Sequence, residues 1–321
     1  MAVNGKRILI TGGAGFIGSY LCERLVQEND VTLYDNYLRD AVRFTELRKH
    51  PRLQMVRGDV LDLPALQQAM AGHQLVIHCA AIAGIYSVDK SPMQTMQVNV
   101  LGTYHALQAA AANRAERFIY FSTSEVYGQY VRRGTEQDQT TIGPVGEMRW
   151  VYAASKLAAE HWTFAFARAH QLNCTTVRPF NVYGPRQIGE GAVQRLVLRA
   201  LGNEPITLFN DGTQIRAWCF VEDFVEGVLA CLERPEAIGQ VFNLGNPQGT
   251  TTNLQLALAI KRLAHSSSTL VFAPHPGPEV EIRIPSIAQA QARLGFNPAV
   301  PLEEGISRTI EWYRAHRSAL A

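Results

Sequence analysis

Apolar, β-branched runs recur at Ile8 to Thr11, Val31 to Asp35, Leu53 to Gly58, Leu75 to Cys79, Phe118 to Ser122 and Cys174 to Arg178, with helical stretches between them. Short apolar runs alternating with helices predict an α/β fold, a doubly wound parallel sheet with helices on both faces. After about residue 180 the rhythm breaks. Gly184-Pro185, Gly189, Gly202, Asp211-Gly212, Pro235, Pro247 and the segment from Ala273 to Pro278 mark turns between shorter elements. The pattern therefore divides into a dinucleotide-binding domain over 1–180 and a smaller, irregular C-terminal substrate lobe over 181–321. One later strand near 240–245, around Val241 to Leu244, returns to the sheet.

Two predicted helices are apolar on more than one side. Met93 to Ala112 carries Met96, Val100, Leu101, Tyr104 and Leu107; Tyr152 to His170 carries Leu157, Trp162, Phe164 and Phe166. Phe164 and Phe166 stand about 200° apart on a helix, so they cannot both face one sheet. The second face needs a partner. A homodimer packed through the helices near 93–112 and 152–170 supplies one; a covering loop of the same chain is the alternative.

With 321 residues, 47% of them hydrophobic and 18% charged, the chain can bury a large core. A net charge of +2 with no run of like charges gives no electrostatic footing for nucleic acid or a membrane surface. The first strand begins within a few residues, and no segment offers about 18 uninterrupted apolar residues, so neither a signal peptide nor a membrane span is expected. The expected location is cytoplasmic. The five cysteines, at 22, 79, 174, 219 and 231, form no Cys-x-x-Cys pair or Cys/His cluster, so they read as reduced packing residues and no metal site is expected.

The densest chemical signal lies in residues 11–18, Thr-Gly-Gly-Ala-Gly-Phe-Ile-Gly, between the first strand and a helix. Gly12 permits the tight turn, Gly15 lets the backbone approach a pyrophosphate, and Gly18 lets the helix lie close on the strand, the signature of a Rossmann dinucleotide cradle. The strand Val31 to Tyr34 ends in Asp35, whose carboxylate suits the ribose hydroxyls of NAD. A 2'-phosphate would meet that charge with no basic residue nearer than Arg39.

Tyr152 and Lys156 are spaced i,i+4, which puts phenol and ammonium on one helix face, where the cation favours the ionised phenol and brings it toward use as a base. Upstream, Ser122-Thr123-Ser124-Glu125 follows the strand Arg117 to Phe121. Hydroxyls and a carboxylate at the carboxyl end of a parallel strand occupy an active-site address. Thr123 can bond both a substrate hydroxyl and Tyr152, and Glu125 is placed as a second acid/base group.

Together Gly12-x-x-Gly15-x-x-Gly18, Asp35, Gly58-Asp59-Val60, His78-Cys79-Ala80-Ala81, Asn99-Val-x-Gly102-Thr103, Ser122-Thr123, Tyr152-x-x-x-Lys156 and Arg178-Pro179-Phe180-Asn181 through Arg186 resemble the extended short-chain dehydrogenase/reductases that act on nucleotide sugars. This is the NAD-dependent epimerase/dehydratase family, and the resemblance covers nearly the whole chain. It implies that Gly12, Gly15, Phe16, Ile17, Gly18, Asp35 and Asn36 hold the dinucleotide, that Asp59 and Val60 contact the adenine, and that Ala80 and Ala81 lie along the cofactor. Asn99, Ser122 and Pro179 join this set by the same resemblance, and Thr123, Tyr152 and Lys156 are its catalytic trio, the last two also touching NAD. Asn181 contacts the sugar nucleotide, and the stretch Ile206 to Asp223, with Thr207, Phe209 and Arg216, resembles the diphosphate cradle.

The shared chemistry of such enzymes is oxidation of the sugar's 4-hydroxyl to a ketone. Thr123-Ser124-Glu125 disfavours plain 4-epimerases, which usually lack the acid. The closest motifs, Ile142 to Val145 with Arg149-Trp150-x-Tyr152, Thr213-Gln-x-Arg216-Ala-Trp and Glu281-x-Arg283-x-Pro285-Ser286-Ile287, are those of UDP-glucuronate decarboxylases. Arg283 then approaches the reacting sugar, holding a carboxylate or serving proton delivery at carbon 5. His275 stands where many relatives carry a diphosphate-binding arginine, which implies either weaker phosphate binding or Arg186 as the substitute. A nucleotide-sugar 4,6-dehydratase, a 4-epimerase and a non-catalytic dinucleotide-binding regulator are the alternatives.

Overall fold

Strands with apolar side chains on both faces need cover on both faces, and each early strand divides its residues between two cores. The computed structural model describes residues 3–275 and 277–320, so Pro276 of the predicted turn segment lies outside the described residues. In chain order the strands are β1 (Arg7–Thr11), β2 (Asp30–Asp35), β3 (Leu53–Arg57), β4 (Leu75–His78), β5 (Arg117–Phe121), β6 (Tyr130–Gly134), β7 (Cys174–Pro179), β8 (Val182–Tyr183), β9 (Ile206–Phe209), β10 (Ile215–Ala217), β11 (Cys219–Phe220), β12 (Val241–Leu244), β13 (Thr250–Thr252), β14 (Leu270–Ala273) and β15 (Ile282–Pro285).

Seven of them form one parallel sheet in the order β12-β7-β5-β4-β1-β2-β3, the predicted doubly wound architecture. Leu9, Tyr34, Val76 and Phe118 face the core beneath the helices Gly102–Ala112 and Val151–His170. Their chain neighbours Ile8, Ile10, Leu33, Ile77 and Ile119 face the opposite core, beneath the helices Phe16–Leu25 and Val221–Glu233. The strand order reverses between β1 and β4, which opens a crevice at their carboxyl ends where ligands of such sheets bind.

A second sheet, β13-β10-β15-β6, has no counterpart among the predicted strands. Two small pairs, β8 with β11 and β9 with β14, complete the later half. No helix among the described residues is long and apolar enough to cross a membrane, and no His/Cys/Asp/Glu group among them could hold a metal.

The helix Val151–His170 is anchored from below. Glu160 continues the face of Tyr152 and Lys156 by one more i+4 step and receives Arg178 of β7 through two hydrogen bonds, 2.9 Å from Nε and 2.7 Å from Nη2. Arg178 Nη1 also donates to Tyr127 Oη at 2.7 Å, and Tyr127 donates to Asn243 of β12 at 2.9 Å. Both members of the ion pair are buried, so removing one leaves an uncompensated charge. Glu160→Ala is expected to cost about 3–5 kcal/mol, read as a lower urea midpoint at unchanged m-value.

Candidate functional site

The glycine turn is built as its spacing requires. Gly12 has φ +67°, and a Cβ there would stand 2.6 Å from the Ala80 nitrogen. A Cβ on Gly18 would stand 2.6 Å from the Gly13 Cα, so only glycine lets this helix close on the turn. The helix Phe16–Leu25 begins at Gly15 with no side-chain cap and no acidic residue in its first turn, leaving its N-terminal amides available to an anion.

A cavity of about 540 Å³ runs from this turn, lined by Gly12, Gly15, Phe16, Ile17, Gly18, Asp35, Asn36, Asp59, Val60, Ala80, Ala81 and Phe121 among others. Asp35 is buried, and its carboxylate accepts from the amides of Ala14 at 2.9 Å and Tyr37 at 2.7 Å, so it ties the glycine loop to β2 while lining the groove. Burial raises its pKa, and the two amide bonds oppose that rise. Ser122 lies just beyond Phe121, buried, and its Oγ has no hydrogen-bond partner among the described residues. A glycine cradle, an uncapped helix start and an orphaned hydroxyl at the far end fit a dinucleotide.

Two loops, around Arg39 and Glu190, meet the start of the short helix Ile85–Lys90 on the rim of this groove, a contact that sequence reasoning missed. Glu190 accepts from the amides of Tyr86 at 2.8 Å and Ser87 at 3.0 Å and pairs with Arg39 at 3.3 Å. Nothing in the local sequence signals a contact between residues so far apart.

Asn99 does not face the groove, contrary to expectation. It sits fully buried in a π-helical turn, Gln97–Leu101, accepting from the Ile82 amide at 2.8 Å and donating to the Ile82 carbonyl and to Ser155 Oγ, both at 3.0 Å. Its side-chain amide is thus spent on holding Ile82, a residue of the groove wall, and Ser155. Pro179 ends β7 opposite Leu244 and is half-buried.

At the end of β5, Thr123 Oγ1 accepts from the Glu125 amide at 3.1 Å and lies near enough to Tyr152 to favour its ionised phenol. Ser124 is buried in the 3-10 turn Ser124–Tyr127. Lys156 is buried and donates to the Phe121 carbonyl at 2.5 Å, with its ammonium 5.0 Å from the centre of the Tyr120 ring. Burial lowers its pKa to about 8. Tyr152 moves the other way: burial and the neighbouring Glu125 carboxylate push its phenol up to about 12, against the pull of Thr123, Arg283 and Arg149. The expected lowering by Lys156 does not govern this arrangement, because the ammonium is directed to a backbone carbonyl and a carboxylate stands closer in effect.

Glu125 lies between two guanidiniums. Arg283 Nη1 bonds its Oε1, and Arg149 Nη2 stands 2.7 Å from its Oε2 as an ion pair without hydrogen-bond alignment. Burial alone would raise this carboxyl, but the two arginines hold it at about 2, so it is a carboxylate at neutral pH rather than a proton donor. Arg283 is 3% exposed, hence no surface residue, and donates Nη2 to the Gly128 carbonyl at 3.0 Å. Arg149 was visible only as part of a motif; its position three residues before Tyr152, one helical turn away, is the signal that marks it.

The substrate-lobe residues are less uniform. Arg216 lies directly opposite Arg283 in the β10–β15 register and donates to the carbonyls of Ile215, Val280 and Glu281. Asn181, at φ +41°, donates its amide to the Ala217 carbonyl at 3.1 Å, bracing β10. Phe209 meets His275 edge-on at 5.0 Å, while Thr207 is exposed on β9. Arg186 is not in the site: it pairs with Glu23 at 2.7 Å and lies 3.5 Å from the Tyr20 ring centre, which fixes it on the helix Phe16–Leu25 and corrects the expectation that it replaces the missing phosphate ligand.

Residues 8–245 match the model of the NAD dependent epimerase/dehydratase family. The chain belongs to that family. Among family relatives it is 33% identical over 319 residues to the UDP-N-acetyl-alpha-D-glucosaminuronate decarboxylase of Bacillus cytotoxicus, covering 96% of this chain and 98% of the relative. It is 35% identical over 319 residues to UDP-glucuronic acid decarboxylase 6 of Arabidopsis thaliana, covering 97% and 90%. The solved UDP-glucuronic acid 4-epimerase of Bacillus cereus, in complex with UDP-glucuronic acid and NAD, superposes with a TM-score of 0.88 at 28% identity, covering 96% of this chain and 99% of that one.

Proposed function

We propose that this family member is an NAD-dependent decarboxylase of a UDP-uronate, with UDP-glucuronate as substrate and a 4-keto pentose or UDP-xylose as product. The observation that carries this reading is Glu125, ionised between Arg283 and Arg149 and close enough to raise the phenol of Tyr152. Two curated relatives at 33% and 35% identity are named as decarboxylases of UDP-uronates, which supports the same choice.

Gly12, Gly15, Phe16, Ile17, Asp35 and Ser122 would hold NAD, which when bound supplies a hydride acceptor at sugar carbon 4 and a positive ring that adds to the charge of Lys156. Tyr152 Oη takes the proton of the 4-hydroxyl as carbon 4 becomes a ketone, with Thr123 holding the same oxygen. The 5-carboxylate is then that of a β-keto acid. Its carbon–carbon bond breaks, carbon dioxide leaves, and the electron pair passes into the ketone as an enolate, which Tyr152 stabilises with the proton it took. Carbon 5 takes up a proton from water, which gives the 4-keto pentose; where carbon 4 is reduced again to give UDP-xylose, its oxygen takes back the proton held at Tyr152.

Incubation with NAD and a panel of UDP-glucuronate, UDP-glucose, UDP-N-acetylglucosamine and dTDP-glucose, read by mass, separates the possibilities. Loss of about 44 mass units selects decarboxylation, loss of about 18 dehydration, and an unchanged mass with an altered sugar selects the 4-epimerase that the B. cereus structure represents.

The unit is inferred to be a homodimer. Met93, Met96, Leu101 and Trp162 are exposed on helices that pack side by side, and a second copy laid on them would bury this apolar strip. Light scattering is expected to give about twice 35.5 kDa; the monomer mass would contradict it.

A further inference from the structure

We propose that Asn243 is a positioning residue: from the edge of the large sheet it fixes the strand of Arg283 against the turn of Glu125, and so sets the pair on which carbon dioxide release depends. The inference rests on the decarboxylase reading. Asn243 lies on β12, the edge strand of the seven-stranded sheet, while Arg283 lies on β15 of the second sheet. At Arg283 that strand is opposite Val131 of β6, and two residues later the register slips. Pro285 meets Gly134, and Arg133 is passed over at φ +59°. A left-handed non-glycine residue in a bulge is strained and persists only where its surroundings hold it. Here the hold falls on the next carbonyl: Gly134 accepts from the Ser286 amide at 2.8 Å and from Asn243 Nδ2 at 3.0 Å. The same Nδ2 reaches the Ser286 carbonyl at 3.3 Å, so one side-chain amide spans both strands at the slip.

The oxygen of that amide faces the turn of Glu125. Asn243 Oδ1 accepts from Tyr127 Oη at 2.9 Å, and Tyr127 closes the 3-10 turn Ser124–Tyr127 that carries Glu125. Two carbonyls on one side and a hydroxyl on the other leave the amide a single orientation. Arg178, the register partner of Asn243 on β7, gives Nη1 to the same phenol at 2.7 Å, so the phenol proton is directed to Asn243 and to the Thr135 carbonyl, also at 2.9 Å. The backbone N–H of Asn243, on the open edge of β12, is taken up by Glu136 Oε1 at 2.8 Å. Asn243 is fully buried, and both polar atoms of its side chain are used. A buried network satisfied in this way admits one geometry and loses it as a unit.

Arg283 also grips the turn directly, at Glu125 Oε1 and at the Gly128 carbonyl. Those bonds come from a long side chain that follows its strand wherever the strand lies. Asn243 supplies the short, rigid closure, touching the chain three residues beyond Arg283 and two beyond Glu125. The oxidation half is held by other means. Among the described residues, Thr123, Tyr152 and Lys156 form no hydrogen bond with Asn243 or with the Tyr127, Gly134 and Ser286 that it joins; Lys156 donates to Phe121, and Thr123 Oγ1 accepts from the Glu125 amide. Loss of the Asn243 link therefore displaces the arginine–carboxylate pair and leaves the phenol, hydroxyl and ammonium where they are.

The test compares the NAD-loaded wild type, Asn243→Leu and Tyr127→Phe in single turnovers of UDP-glucuronate labelled in its carboxyl. Absorbance of the reduced nicotinamide reads oxidation at carbon 4, and labelled carbon dioxide reads the bond that breaks. Asn243→Leu keeps the volume and removes both ends of the link; Tyr127→Phe keeps the ring and removes one end. Carbon dioxide release is expected to slow by about 10–100-fold in Asn243→Leu and by about tenfold in Tyr127→Phe, with the rate of nicotinamide reduction within about twofold of wild type in both. A purely structural role lowers the two signals together, in step with the folded fraction. That outcome in Tyr127→Phe, or carbon dioxide release there at the wild-type rate, would overturn the inference, whether or not Asn243→Leu folds, and would leave the decarboxylase reading standing. A wild type that releases no labelled carbon dioxide overturns that reading and this inference together.

Discussion

Tyr152→Phe is expected to lower turnover on the order of 10³-fold, because the phenol oxygen is the group placed to take the proton of the 4-hydroxyl. Phenylalanine keeps the ring and its packing, so binding of the sugar nucleotide should survive and the loss should fall on kcat. The structure sharpens this expectation. Burial and the Glu125 carboxylate push the phenol up to about 12, so proton transfer depends on the charges that surround it. Stopped-flow absorbance of the reduced nicotinamide after mixing with UDP-glucuronate reads the step directly. Near-normal reduction in the variant would remove Tyr152 from the role of base.

Glu125→Gln is expected to separate the two halves of the reaction. Carbon dioxide release should fall by at least about 10²-fold, because the anion that holds Arg283 and Arg149 in place is gone, whereas reduction of the bound dinucleotide persists. Glutamine keeps the shape and loses the charge. Arg283 and Arg149 are then left without their shared anion, and Tyr152 loses a neighbour that pushes its pKa up, so the oxidation half is not impaired by the change. The reduced dinucleotide should accumulate with the uronate carbon skeleton intact. Full lyase turnover by this variant would mean that the charge of Glu125 has no part in breaking the carbon–carbon bond.

The strands of the large sheet were readable because each is apolar on both faces and punctuated by local turn chemistry, from Ile8 to Leu244. The glycine turn was readable for the same reason, since the demands on Gly12 and Gly18 are set by backbone contacts within a few residues. The second sheet was not, because β6 (Tyr-Val-Arg-Arg-Gly) and β15 (Ile-Arg-Ile-Pro) carry arginines and mixed burial, and β6 pairs with β15 across some 150 residues.

Side-chain commitment was the other hidden quantity. Asn99 and Arg186 stand in recognisable motifs, yet tertiary contacts with Ile82 and Glu23 decide what each can reach. Residue type and spacing placed phenol and ammonium on one face, but the direction of the Tyr152 shift came from Glu125, 27 positions upstream on another element. The Glu160–Arg178 pair likewise joins a helix to a neighbouring strand and has no local signature.

On the decarboxylase reading, the site removes a carboxylate after oxidising its neighbour. Its most direct measurement is isotope-labelled carbon dioxide released from UDP-glucuronate carrying the label only in its carboxyl, with the NAD-loaded protein. Release that matches the substrate consumed, and that disappears in Tyr152→Phe, is the predicted result. Label retained in a UDP-sugar of unchanged mass, with carbon 4 inverted, would contradict it.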